Sequence, residues 1–488
     1  MSSPLTELEP RYLWQNFDAI RRIPRPSKHE EKIAEHAVSW AKGHGYEVVR
    51  DRVGNLVIKV PATPGHEGAP TVILQGHMDM VCEKNSDVEH DFMKDPIQVT
   101  VEGDWVTAVG TTLGADNGVG VAAGMAIAED PDAVHGPLEL LLTVDEETGL
   151  TGAMQLDGSL LAGRTMLNLD TEEDGSVYIG CAGGADSVAE FPLARRKALL
   201  GSIPVQVAIK GLRGGHSGID IDQNRGNAVK LAARVLLTAI GDGIELDLVS
   251  LDGGSKHNAI PREAFAVCRV PENSFANLEK VAQRCLGDFQ KEFGAVEPNL
   301  ELTLTKLDDS EDRQRPLNSH ARDRLLYAID GIPHGVLAMS REVPGLVETS
   351  NNLAVVKTED ASAVVTTSHR SSVMPALFRV QEQIRSICVL GGATVEVHDA
   401  YPGWKPNPDS PIVKRTVGVF ERLFGKTPEV KAVHAGLECG LLLEKVPDLD
   451  VVSIGPELRH PHSPDEKVQI SSVQRFYEVI KGVLAELA

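Results

Sequence analysis

Two hydrophobic patterns share this chain, and the change from one to the other divides it. Over the first third, short apolar runs alternate with segments of helical period. The stretch Glu30-Glu-Lys-Ile-Ala-Glu-His-Ala-Val-Ser-Trp-Ala-Lys42 carries apolar residues at helix spacing, and residues 12–46 read as helical with a break at Ile23-Pro-Arg-Pro-Ser27. Runs at 47–50, 56–60 and 71–74 predict short strands, 113–129 a glycine- and acid-led helix of small residues, and 138–144 and 165–169 further strands. Strands alternating with helices predict an α/β sheet covered on both faces.

Near residue 186 the pattern becomes period two, as in Ile203-Pro-Val-Gln-Val-Ala-Ile-Lys210, 363–367 and Thr394-Val-Glu-Val-His398. That alternation suits an antiparallel sheet with one face covered and the other solvated. Helices are predicted at 224–241, 273–292 and 376–390. After Tyr401-Pro-Gly-Trp404 the chain returns to helix followed by a buried strand at 450–454. The expected organisation is a catalytic α/β domain in two parts, 1–185 and 399–488, with its mixed, mostly parallel sheet interrupted by an inserted α+β domain at 186–398. The insert is long enough for two similar α+β halves, though no internal sequence repeat marks them.

Composition narrows the function. The formal charge of −22 disfavours nucleic acid and anionic membranes as partners, since both reward basic surfaces. The six cysteines are scattered without a Cys-x-x-Cys pair, which suits reduced thiols in a cytoplasmic protein. The first ten residues lack the basic and apolar regions of a signal peptide, and no apolar stretch reaches the ~20 residues of a membrane span.

Candidate chemistry lies at the ends of the predicted strands. In Gln75-Gly-His-Met-Asp79, His77 and Asp79 share a strand face, so His77 can offer a metal a neutral imidazole while Asp79 orients it. Asp116, in Gly110-Thr-Thr-Leu-Gly-Ala-Asp-Asn-Gly118, is either a helix cap or a carboxylate bridging two cations. Asp145-Glu146-Glu147 follows a strand; it is either an acidic first helical turn or a metal ligand beside a general base. Asp170 ends another strand, and His460 and His462 lie in a proline-bounded loop. Taken jointly, His77, Asp116, Glu147, Asp170 and His462 make a mixed nitrogen and oxygen set suited to two zinc-like ions.

These motifs, in this order, resemble the M20 family of di-zinc metallopeptidases: Gln75-Gly-His-Met-Asp79, Gly114-Ala-Asp-Asn117, Asp145-Glu-Glu147, Asn168-Leu-Asp170 and Pro461-His-Ser463. The strings His90-Asp-Phe-Met-Lys-Asp-Pro96, Gly180-Cys-Ala-Gly-Gly184 and His434-Ala-Gly-Leu-Glu-Cys-Gly440 are similar to its aminoacyl-histidine (Xaa-His, carnosinase-like) dipeptidase branch. The resemblance implies two Zn2+ per chain, replaceable by Mn2+ or Co2+. His77 and Asp170 would hold one, Glu147 and His462 the other, and Asp116 would bridge, with a cis peptide expected at Asp116-Asn117. Asp79 would orient His77 and Glu146 would be the general base. His460 competes with His462; the Pro-His-Ser-Pro-Asp-Glu context favours His462.

The inserted region resembles the family's lid domain. His216, in Gly214-Gly-His-Ser217, would stabilise the oxyanion, and Asn258 and Arg370 would hold the substrate's carboxylate, with Gly436 bringing backbone close to the substrate. Without the resemblance, Ser217 reads as a cap and Arg370 as a surface arginine. The implied function is a cytoplasmic dipeptidase acting on small unblocked peptides, preferring Xaa-His, with a homodimer possible. The alternatives are an N-acyl amino acid deacylase and a non-catalytic peptide-binding relative.

Overall fold

The computed structural model describes residues 3–308, 315–398 and 400–488 and divides into two units. The first is Met1–Gly180, Trp404–Ala432 and Leu437–Ala488; the second is Cys181–Gly403 and Val433–Gly436.

The first unit is built on an eight-stranded mixed sheet. At its centre Val72–His77 runs parallel to Leu138–Thr143 on one side and to Thr165–Asn168 on the other, and Asp450–Ser453 runs parallel to Thr165–Asn168. The expected parallel character holds for these four strands and not for the flanks. Glu47–Arg50 pairs antiparallel with Leu56–Val60, and that strand with Leu138–Thr143. The reason is local: the Asp51 carboxylate accepts the N–H groups of Val53, Gly54 and Asn55, closing a short turn that can only return the chain antiparallel.

The register gathers the polar strand ends. His77 stands opposite Thr143, and Gln75 opposite Asn168, so Glu146, Glu147 and Asp170 all follow strands that finish at the same edge as His77. Ends of parallel strands are where open α/β sheets carry their sites. The helix Ala115–Glu129 is buried along nearly its whole length, which its small residues permit. A side chain at Gly120 would run into the Leu169 carbonyl, and one at Gly76 into Asn117. Asn117 fills the space between these glycines and donates its amide to Leu169 O at 2.7 Å.

The second unit holds a nine-stranded sheet whose pairings are antiparallel. One half pairs Glu301–Lys306, Ser202–Lys210, Ala264–Pro271 and Asp247–Gly253. The other pairs Val347–Thr358, Ser362–Ser371, Gly183–Pro192 and Thr394–Val397, with Gly335–Met339 also on Val347–Thr358, and the halves join where Gly253 meets Val356. Helices Ala228–Gly241, Phe275–Phe293, Ser319–Gly331 and Met374–Leu390 bury residues such as Leu236, Phe289, Leu325 and Ile384 in one core with Val207 and Val365 from the strands. Two α+β halves are therefore present without a repeat in sequence.

The compact units divide after residues 180 and 403, where 185/186 and 398/399 were expected. The division at 185/186 cuts the strand Gly183–Pro192, which pairs with Ser362–Ser371 from Gly183 onward. Residues 433–436 return to the second unit because the Ala182 N–H donates to both Val433 O and Ala435 O. The division at 398/399 abuts residue 399, which lies outside the described residues, as do Met1 and Ser2.

Candidate metal centre

In the first unit the strand ends bring all five expected ligands together. His77 Nε2 lies 3.1 Å from Asp116 Oδ1 and 3.2 Å from Asp170 Oδ1. His462 Nε2 lies 3.1 Å from Asp116 Oδ2 and 3.0 Å from Glu147 Oε2. The two triads, His77–Asp116–Asp170 and Asp116–Glu147–His462, thus share Asp116 through its two different oxygens. His77, Glu146 and Glu147 form a third group, its ligand atoms also within 4.8 Å of one another.

Asp116 does not cap its helix. Gly114, which has no side chain to cap with, occupies the cap position with φ +69°, and the Asp116–Asn117 peptide bond is cis. The N–H groups of Leu113, Gly114, Ala115 and Asp116 instead point at the two oxygens of the buried Glu466, at 2.7 to 3.3 Å. Asp116 is thereby free to face both histidines. Arg25, fully buried, grips the same region by donating to Met78 O, Asp79 O and Gly114 O.

The site fits divalent cations. Each Nε2 has at most one proton to offer, yet each faces two carboxylate oxygens, whereas a cation satisfies all three groups at once. Asp170 Oδ1 has His77 Nε2 beside it, which Asp116 also faces, and Glu147 Oε1 is buried without a hydrogen-bond partner among the described residues. Burial disfavours charge on His77, but Asp170 and Asp116 win and hold it well above the ordinary histidine range. Hydrogen bonds to Asp116 and Glu147 push His462 up to about 11. Burial and the neighbouring carboxylates Asp116 and Asp170 push Glu172 up to about 9. A pocket that forces protons onto two imidazoles and two residues past Asp170 onto a carboxylate is one that demands positive charge, and metal binding would release those protons.

Asp79 ties the metal side to the acid side. One oxygen lies 3.4 Å from His77 Nδ1, while the carboxylate accepts the N–H groups of Glu146 at 3.0 Å and Glu147 at 3.2 Å and the Ser27 hydroxyl at 2.7 Å. Burial alone would raise its pKa, yet His77 and these donors bring it down to about 2. Asp145 is occupied otherwise: its carboxylate accepts the Thr148 and Thr151 hydroxyls, which leaves Glu146 and Glu147 to face the site. Burial, with Asp170, Glu147 and Glu438 as negative neighbours, holds Glu146 well above the usual carboxylate range despite His77. His460 joins no ligand group among the described residues.

Three supporting residues escaped the sequence reading. Glu466 was visible only as the last acid of the histidine loop, and Arg25 only as an arginine between prolines. Glu438 is buried under the site, where it accepts Gln75 Nε2 and Thr143 Oγ1, each at 2.6 Å. Their partners lie up to several hundred residues away, and no local pattern records such a pairing.

In the second unit, Gly215–His216 and Ala259–Ile260 form a short antiparallel ribbon, and the Ser217 N–H donates to Asn258 O at 2.8 Å. His216 Nδ1 accepts the N–H groups of Gly218 and Ile219, so the imidazole proton sits on Nε2. Burial and the nearby Arg370 lower its pKa to about 4, which keeps it a neutral donor. Arg370 is buried rather than a surface arginine; its Nη1 donates to Tyr401 Oη at 3.2 Å, while its Nε has no partner among the described residues. A Cβ at Gly218 would sit 3.1 Å from His216 and 3.3 Å from Arg370, so these side chains flank one glycine. At Gly436 a Cβ would approach the Tyr401 ring to 3.1 Å.

Comparison with known proteins gives the family. The profile of peptidase family M20/M25/M40 matches residues 73–486. The cytosol non-specific dipeptidase of Escherichia coli (strain K12) is 42% identical over 485 residues, covering 99% of each chain. The crystal structure of aminoacylhistidine dipeptidase from Vibrio alginolyticus superposes with a TM-score of 0.91 at 43% identity, covering 99% of this chain and 98% of that one. Aminopeptidase PepT from Bacillus cereus shares the fold at 15% identity, with a TM-score of 0.57 over 98% of this chain and 99% of its own. The chain belongs to peptidase family M20/M25/M40 and is a hydrolase of that family.

Proposed function

We propose that this protein is a cytoplasmic dipeptidase that hydrolyses short unblocked peptides, Xaa-His dipeptides among its preferred substrates, with two Zn2+ ions per chain. The observation that carries the reading is the pair of ligand triads sharing Asp116, with Glu146 beside them. The full-length relatives named for dipeptidase activity, one of them for cytosol and one for aminoacylhistidine substrates, support the peptide class and the compartment. Among the described residues no helix is long and apolar enough to cross a membrane.

When bound, the paired cations would polarise the scissile carbonyl and acidify the attacking water. His77 and Asp170 would hold one, Glu147 and His462 the other, and Asp116 both. Glu146 takes a proton from the attacking water as the C–O bond forms and the carbonyl oxygen becomes the oxyanion, then delivers that proton to the leaving amine as the carbonyl reforms and the C–N bond breaks. Asp79 keeps His77 oriented and anchors the backbone of Glu146 and Glu147. His216 donates Nε2–H to the oxyanion. Arg370, with Asn258, receives the substrate's carboxylate; its planar fork suits two parallel hydrogen bonds. Gly436 keeps room for Tyr401, which in turn steadies Arg370.

The test is a substrate panel on zinc-reconstituted enzyme: Xaa-His dipeptides, other dipeptides, N-acetylated amino acids and blocked dipeptides. Turnover of free dipeptides with Xaa-His among the best is expected. Preference for N-acetyl amino acids would make the protein a deacylase, and metal-loaded protein inert on the whole panel would make it a binding relative.

A further inference from the structure

We infer that Asp220 and Arg225 act as a positioning pair that sets the His216 imidazole, so that turnover depends on Arg225 although it belongs to no ligand or substrate set. The inference rests on the reading of His216 as the oxyanion donor.

All the contacts lie within the second unit. Asp220 holds the His216 backbone from both sides: its Oδ2 accepts the His216 N–H at 2.8 Å, and its own N–H donates to His216 O at 3.1 Å. Its other oxygen accepts Arg225 Nη2 at 2.7 Å, and Arg225 Nη1 donates to Gly214 O at 2.5 Å. The arginine therefore closes a ring that starts at Gly214, passes through Asp220 and ends on the His216 backbone. Gly215 lies inside that ring with φ +136°, a conformation that favours glycine, and a Cβ there would run into Arg225. With Nδ1 held by the N–H groups of Gly218 and Ile219, backbone and ring are both constrained, and the direction of Nε2–H is set.

A purely structural role explains this arrangement less well. The two side chains keep 20% and 28% of their surface exposed, so solvent screens part of what the ion pair adds to stability. Arg225 also borders a cavity of about 510 Å³, with Asn227, Lys230 and His334 on its wall, so shortening it admits solvent rather than opening a void in the core. What the pair supplies is orientation, and misplacing a reacting donor by about 1 Å can cost 100-fold in rate.

The experiment compares Arg225→Met, Arg225→Lys, Asp220→Asn and His216→Ala in zinc-loaded full-length enzyme. It measures kcat and KM on a dipeptide and follows the His216 Cε1 resonance in protein labelled at histidine. Arg225→Met should lower kcat by about 100-fold with KM little changed. Its His216 resonance should titrate above the parent value of about 4, moving toward 6.5. Arg225→Lys should recover part of kcat. If Arg225→Met does not fold, Asp220→Asn carries the same expectation in kcat, while loss of the carboxylate that raises the His216 pKa should move the His216 titration down instead. Should His216→Ala lose turnover while the folded Arg225 or Asp220 variant keeps it, the positioning role is wrong and the reading of His216 stands. Should His216→Ala keep full turnover, the reading of His216 fails and this inference fails with it.

Discussion

The carboxylate of Asp79 accepts the backbone N–H of Glu146 at 3.0 Å while lying 3.4 Å from Nδ1 of His77. One residue thus sets the face of a proposed metal ligand and the backbone of the proposed base. Removing its charge should disturb both. Asp79→Asn is expected to weaken metal affinity by about 10- to 100-fold, read by competition with a chromogenic chelator, and to lower kcat in zinc-saturated enzyme. Unchanged affinity would separate Asp79 from the metal.

Glu146 approaches His77 and Glu147 closely, so it must be distinguished from a ligand. Glu146→Ala should keep two metals per chain by elemental analysis and lose about 10²- to 10⁴-fold in kcat. A variant that binds one metal fewer would make Glu146 a ligand instead.

Glu466 collects four backbone N–H groups of the loop that presents Asp116, and it does so from a buried position. Burial, and then Asp116, push its own pKa up to about 7 against those donors. Glu466→Ala strands the donors, each worth about 1–3 kcal/mol when left unpaired, so a stability loss of at least that size is expected in denaturant titrations. Weaker metal binding should accompany it, because Asp116 loses its support. Glu466→Gln, which restores one acceptor oxygen, should fall between.

Arg370 offers a buried guanidinium whose Nε is unpartnered, so its loss should register in binding more than in chemistry. Arg370→Lys keeps the charge and loses the fork. A KM increase of about 10- to 100-fold is expected, from 1.5–3 kcal/mol for a charge-assisted hydrogen bond. Dipeptides amidated at the C-terminus should bind parent and variant alike; an equal penalty for both substrates would remove Arg370 from carboxylate recognition.

His369 in the second unit is fully buried between Asn351 Oδ1 at 2.7 Å and Ser187 Oγ at 2.8 Å, and burial lowers its pKa from 6.5 to about 4. Above pH 6.5 folded and unfolded chains are both neutral here, and the contribution to stability is whole. As pH falls from 6.5 toward 4 the unfolded chain takes up a proton that the folded chain refuses, and stability is lost. The slope should reach about 1.4 kcal/mol per pH unit for this one group. Guanidinium unfolding of His369→Gln should show a shallower decline over that interval than the parent; parallel declines would assign the acid sensitivity to other groups.

Much of the site was legible because its signals are local. Val72–His77, Leu138–Thr143 and Thr165–Asn168 announce themselves as apolar runs, and each is followed within a few residues by acids or carries a histidine at its end. Where single residues left a choice, as between a cap and a ligand at Asp116, distant partners bear on it: Glu466 takes the loop's N–H groups, and His77 and His462 face the carboxylate. Which strands of the mixed sheet run parallel was not legible for the same reason, since an apolar run reports burial on both faces but not strand direction.

Residue order alone determined the two hydrophobic regimes, the strand ends that carry chemistry, the five candidate ligands and the family, because period, turn residues and motif strings are written within short windows. Only the tertiary structure decided that Glu466 holds the Asp116 loop, that Asn117 needs Gly76 and Gly120, that residues 433–436 belong with the second unit, and that Arg225 reaches the His216 ribbon through Asp220. Each of those depends on a hydrogen bond or a close approach between segments remote in the chain or differently folded. Such contacts leave no periodicity for the sequence to show.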